Sequence, residues 1–169
     1  MENRKEFTFP SADGRTAVHA VEWHPEREPA GILQIAHGVA EYALRYEPFA
    51  RFLNAHGFLV VANDHLGHGK SVAEGAPRLY FGEKGNWQHV VDDMYTLRCR
   101  TGEAYPELPY FIMGHSMGSF LTRTYLIRYP GTVKGAILMG TGQNPDAMLV
   151  GGKALASVLA VSYTHLRAH

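Results

Sequence analysis

Cysteine is nearly absent: Cys99 is the only one in 169 residues. No intrachain disulfide can form, so the chain must be held together by burial, and the count does not fix a redox compartment. Charge of one sign is not in excess either. Sixteen Lys and Arg balance sixteen Asp and Glu, which removes the field expected of a protein that binds nucleic acid or an anionic membrane. The start, "MENRKEFTFPSADG", lacks the apolar run of a signal peptide, and no stretch is long and apolar enough to span a bilayer. A cytoplasmic location is the expectation that follows. Internal repeats and low-complexity tracts are missing as well. What remains is the composition and length of one globular domain with a sizeable core.

The apolar pattern is rich by comparison. "EFTF", "SADG" and "TAVHAVEW" read as strand, turn and strand, with Asp13-Gly14 as a hairpin signal. "GILQIAHG" and "FLVVAND" are short apolar runs suited to buried strands. Between them, Phe49, Phe52 and Leu53 fall at helical spacing from Tyr46 onward, and Gly57 closes that helix. Trp87 to Arg100 is again helical in period, with Val90, Val91, Met94 and Leu97 on one side. Pro106 and Pro109 interrupt before "YFIM", a helix follows over Phe120 to Tyr129, and "VKGAILMG" is a further strand. After the hairpin, strands and helices alternate. That order predicts an α/β fold with a mostly parallel sheet and helices on both faces. Ligands of such sheets gather at the carboxyl ends of the strands. The unusual sequences lie there: His37-Gly38, Asp64 to Ser71, Gly114 to Gly118, and Gly140 to Gln143.

Gly114-His115-Ser116-Met117-Gly118 places a serine between two glycines at a junction of strand and helix. A turn that sharp tolerates little bulk on either side, hence Gly114 and Gly118. It would hold the serine hydroxyl above the sheet at the positive end of a helix, as acyl transfer requires of a nucleophile. Acyl transfer also needs fixed N–H groups aimed at the oxyanion of the tetrahedral intermediate. The N–H of Met117, next after the serine, is one candidate, and the N–H of Val39, after His37-Gly38, is the other. In "DHLGHGKS", Asp64, His65 and His68 are of metal-ligating type, yet no second ligand pair follows at suitable spacing. A glycine-rich loop that shapes the pocket is the plainer reading, and no metal or organic cofactor is expected.

"HGVAEYALRYEPFARFLNAHGFLVVANDHLGHGKS" and "FIMGHSMGS" together resemble the α/β-hydrolase superfamily. The likeness is to its monoacylglycerol lipase and lysophospholipase-like branch, labelled serine aminopeptidase S33 or "Hydrolase 4", and runs from about Lys5 to Thr141. It implies Ser116 as nucleophile, with Met117 and Val39 N–H groups as the oxyanion hole. It implies a small-molecule ester or lipid substrate, hydrolysed through an acyl-enzyme, with no nucleic-acid partner. Ser116 also separates the chain from epoxide and haloalkane hydrolases on this fold, which carry an aspartate at that turn. Residues 1–141 would be the N-terminal part of the core and residues 142–161 the start of a lid, where Leu155, Val158 and Leu159 have helical spacing. In the family the catalytic acid and then the histidine follow later strands. Here only Asp146, His165 and His169 follow Ser116, and no strand remains to position them. The expectation is that acid and base are missing, that later strands are missing, and that the chain is an inactive fragment. The last residues, 162–169, "SYTHLRAH", resemble translated library-adapter sequence and are expected to be non-native, with the true sequence ending near Val161. A non-catalytic ligand-binding protein on the same fold is the alternative.

Overall fold

The computed structural model describes residues 3–82, 85–143, 145 and 148–156. Six strands form one sheet: β1 (Arg4–Pro10), β2 (Ala17–Trp23), β3 (Gly31–Ala36), β4 (Phe58–Asn63), β5 (Tyr110–His115) and β6 (Gly135–Met139). Their spatial order is β1-β2-β4-β3-β5-β6. β1 pairs antiparallel with β2, and β2 antiparallel with β4, whereas the pairs β4–β3, β3–β5 and β5–β6 are parallel. The helices are α1 (Glu47–Ala55), introduced by a 3-10 turn at Ala43–Tyr46, α2 (Trp87–Ala104) and α3 (Met117–Arg128). Residues 148–156 are helical too, and are called α4 here.

Period-two alternation in the central strands builds two cores, one on each face. Ile32, Ala36, Leu59, Val61, Tyr110 and Ile112 face one side, where Val90, Val91, Met94 and Leu97 of α2 and Leu121 and Tyr125 of α3 cover them. Leu33, Ile35, Val60, Ala62 and Met113 face the other, against Ala43, Ala50, Leu44 and Leu53 around α1. The expected helices on both faces are therefore present. A polar residue sits in the first core: Gln34 is fully buried, donates to the Met94 carbonyl at 3.0 Å, and accepts from the Tyr110 hydroxyl at 2.7 Å. Both halves of its amide are satisfied, which is what makes such a burial tolerable.

Three boundaries differ from the sequence reading for physical reasons. The hairpin connection is wider than the stretch "SADG", since β1 ends at Pro10 and β2 starts at Ala17. Asp13 Oδ1 instead accepts the N–H groups of Arg15 and Thr16, both at 2.8 Å, so a side chain organises the wider loop. α2 runs one turn further than Arg100, because Thr101 is still buried. α3 starts at Met117 rather than Phe120, directly after Ser116. Side chains of β6 are largely exposed, among them Ile137, Leu138 and Met139.

Candidate active site

Ser116 is where β5 becomes α3. Its φ of 51° and ψ of −118° lie in a region that L-residues rarely enter. Both flanking glycines are demanded by backbone approach. A Cβ on Gly118 would run into the Ala36 carbonyl oxygen and stand 2.7 Å from that of His37. A Cβ on Gly114 would meet the Gly118 carbonyl and approach Thr122 Oγ1 to 2.5 Å. The first turn of α3 thus rests on the end of β3. The Ser116 N–H donates to the Met139 carbonyl at 2.9 Å, which ties the turn to the end of β6 as well. Met117 is the first helical residue, so its N–H has no acceptor within α3.

The loop after β3 abuts the serine. A side chain at Gly38 would lie 3.3 Å from Ser116 Cβ. His37 governs this loop's geometry. The His65 N–H donates to His37 Nε2 at 3.0 Å, so that nitrogen carries the lone pair; Nδ1 then bears the hydrogen and donates to the Gly38 carbonyl at 2.8 Å. Burial lowers the His37 pKa to about 4, so the ring is neutral and this assignment holds at neutral pH. The Gly38 carbonyl and the Val39 N–H belong to one planar peptide unit, and fixing the first aims the second. Val39 itself is 56% exposed and Ala40 sits at φ 58°. Sequence reading placed Ser116, Met117 and Val39 near one another, and the fold brings their segments together.

A polar cluster to which the sequence reading gave no role adjoins them. Glu41 Oε2 accepts the Gly38 N–H at 2.7 Å and the Tyr46 hydroxyl at 2.9 Å. His115 Nδ1 lies 3.1 Å from the Tyr46 hydroxyl oxygen and 3.2 Å from Glu41 Oε2. Burial alone would raise the Glu41 carboxyl, but the bonds from Gly38, Tyr46 and His115 outweigh it and hold the group below its ordinary value. Burial, and then the bond to Glu41, push the Tyr46 hydroxyl well up. With Arg45, Phe49, Met113 and Met139 these residues line a cavity of about 330 Å³ beside the serine. Polar groups stand on its Glu41 side, and methionine and phenylalanine elsewhere. A larger cleft, about 640 Å³, lies away from Ser116 between Asn3, Arg27 and Arg51. Glu41 follows Gly38 by three residues, a spacing that permits a local side-chain cap and was the available signal. Tyr46 was visible only as part of the stretch that carries the family resemblance, and His115 gave no signal without the fold.

The "DHLGHGKS" loop is built from the inside. A Cβ on Gly69 would collide with the Asp64 carboxylate, and one on Gly67 with the Tyr80 backbone. Asp64 turns to His19 and the Ala43 N–H, while His65 packs on His37 with ring centroids 4.1 Å apart. Among the described residues no group of three or more His, Cys, Asp or Glu is arranged to hold a metal ion. None of the described histidines bonds to Ser116: His115 faces Glu41 and His37 faces Gly38. Asp146 and His165 lie outside the described residues, as do Val158, Leu159 and residues 162–169. Leu155 is exposed on α4. No helix among the described residues is long and apolar enough to cross a membrane.

Comparison with known proteins agrees with this geometry. The monoacylglycerol lipase of Mycolicibacterium smegmatis is 37% identical over 141 residues, which is 83% of this chain and 48% of that protein. The human monoglyceride lipase is 34% identical over 69% of this chain and 37% of its own length. The chain thus spans about half or less of the length of these curated relatives. Among solved structures, a thermostable carboxyl esterase from Bacillus coagulans, crystallised with glycerol, superposes with a TM-score of 0.82 at 37% identity, over 98% of this chain and 52% of that one. The Hydrolase_4 family, described as serine aminopeptidase S33, matches residues 27–168. With a strand–turn–helix serine, a mostly parallel sheet and that match, the chain belongs to the serine aminopeptidase S33 family of α/β-hydrolases.

Proposed function

We infer that Ser116 is the nucleophile of a carboxylic-ester hydrolase that acts on monoacylglycerols or lysophospholipids. Ser116 Oγ attacks the ester carbonyl, and the negative oxygen that forms is received by the N–H groups of Met117 and Val39. The alcohol leaves with a proton, and water then releases the fatty acid from the acyl-enzyme. One observation carries the reading: the backbone holds Ser116 at a strained positive φ, at the N-terminus of α3, with the Gly38 loop against it. A serine that only capped a helix would have no need of that strain. The names of the relatives support the substrate class, and the cavity's apolar wall with a polar end suits an acyl chain joined to a hydroxylated head. Residues 1–141 form the part of the core that carries the nucleophile, and α4 belongs to the start of a lid.

The acid and base that would activate Ser116 are not supplied by the described residues, since His115 and His37 are committed elsewhere. The second reading is a ligand-binding protein that does not turn over. Fluorophosphonate labelling followed by peptide mass spectrometry separates the two. The hydrolase reading expects label on Ser116, lost in Ser116→Ala, with ester turnover reduced on the order of 10⁴- to 10⁶-fold if the base is missing. An unlabelled Ser116 in folded protein that still binds a monoacylglycerol would favour the binding reading.

A further inference from the structure

His19 stands in β2, separated from the nucleophile strand by β4 and β3, and acyl transfer makes no use of it. Its side chain is 6% exposed, yet each polar atom is engaged. Nδ1 lies 2.9 Å from Asp64 Oδ2 and Nε2 lies 2.8 Å from Glu6 Oε2. Ionised carboxylates only accept, so both ring nitrogens must carry hydrogen, and the arrangement selects the imidazolium. The backbone is engaged with the same loop: the His19 N–H donates to Ser71 Oγ at 2.9 Å, and the His19 carbonyl accepts the Asp64 N–H at 2.8 Å. The charged groups around the ring come from two directions. Glu6 on β1 also holds Lys70 Nζ at 2.6 Å and lies 3.4 Å from Arg4; Asp64 and Lys70 come from the loop after β4.

Asp64 passes this contact onward. Its Oδ2 accepts the Lys70 N–H at 2.8 Å, and its Oδ1 accepts the Ala43 N–H at 2.7 Å. Ala43 opens the 3-10 turn that ends the loop beginning at Gly38. The segment carrying Val39 is therefore pinned in front by His37 and Glu41 and behind by Asp64.

We propose that His19 is a positioning residue for the oxyanion loop, acting as an imidazolium that holds the Asp64 carboxylate on the Ala43 N–H. The proposal rests on Val39 as an oxyanion donor. A neutral ring can donate to only one of its two carboxylates and turns a lone pair on the other, so deprotonation loosens the clamp without dissolving it. The bond to Asp64, offset by burial and reinforced by Glu6, raises the His19 pKa above its ordinary 6.5. The clamp is complete below that ordinary value and is lost as pH rises through the higher folded value.

The test is an NMR titration of the imidazole of His19 and the amides of Val39 and Ala43. His19 is expected to titrate above 6.5, and both amides to shift with the same midpoint. His19→Phe, which removes the donors, should displace both amides at every pH. His19→Gln, which restores one donor without a charge, should return them towards their acid positions and abolish the transition. Amides that stay fixed through the His19 transition, or that are the same in His19→Phe as in the native chain, would overturn the proposal. Should His19→Phe not fold, Glu6→Gln at the more exposed partner serves instead: it should lower the His19 midpoint and carry the amide transition down with it. Fluorophosphonate labelling of the same samples keeps the two readings apart. Unlabelled Ser116 with co-titrating amides removes the hydrolase reading alone, and labelled Ser116 with unmoved amides removes this one alone.

Discussion

Ser116 sits at backbone angles that match the first central position of a type II′ turn, a place that glycine favours. Such a conformation costs a non-glycine residue on the order of 1–3 kcal/mol, and a side chain there is justified by its hydroxyl rather than by stability. Ser116→Gly should therefore raise stability by about 1 kcal/mol, the relief of strain exceeding the entropy that glycine adds to the unfolded chain. Ser116→Ala should bring no such gain. Urea unfolding of the two variants decides it, and an equal stability for both would remove the strain argument. The serine itself was legible from Gly-His-Ser-Met-Gly, because a motif of glycines around a nucleophile has a local cause. His19 was not legible, since the carboxylate that gives it meaning is 45 residues away in sequence.

Single elements were readable wherever periodicity is local, as in Val90, Val91, Met94 and Leu97 on α2. The side chains that join elements were not. Asp93 on α2 is 1% exposed, accepts from Ser11 Oγ and from the Ala12 N–H, both at 2.7 Å, and so fastens the β1–β2 loop to the helix. In sequence it is one more charged residue on a helix. Burial, partly offset by those bonds, raises its pKa from 3.8 to about 6. A raised folded value means that its contribution to stability is fully present below 3.8 and is lost as pH climbs through about 6. The stability of the native chain minus that of Asp93→Asn should fall over this window, by on the order of 2 kcal/mol. Denaturant midpoints at pH 4 and pH 7 measure it. A difference that is constant across the two pH values would mean that Asp93 titrates as an ordinary carboxyl. Asp93→Ala, which loses both bonds, should destabilise at either pH.

Among the described residues, the sheet has unequal edges. β1 at one edge carries Arg4, Lys5 and Glu6, charges that discourage pairing with another chain. β6 at the other presents Ile137, Leu138 and Met139 with 37% to 49% of their surface exposed. Self-association that grows with concentration is expected, and Ile137→Lys should suppress it. Sedimentation velocity over a range of concentrations reads both, and a monomer throughout would show that the edge is harmless. The parallel pairing of the later strands and the helices on both faces followed from the alternation of strands and helices, whereas the spatial order β2-β4-β3-β5 and the Glu41–Tyr46–His115 cluster needed the folded sheet. Gly118 also has a genetic consequence. The obstacle to any side chain there is main chain, the carbonyls of Ala36 and His37, whereas at Gly38 it is the far end of the Glu41 side chain. A lesion at Gly38 can be relieved from elsewhere, because shortening residue 41 removes its tightest contact and leaves only the 3.3 Å approach to Ser116 Cβ. A lesion at Gly118 has no such suppressor, and only restoration of glycine at its own codon would repair it.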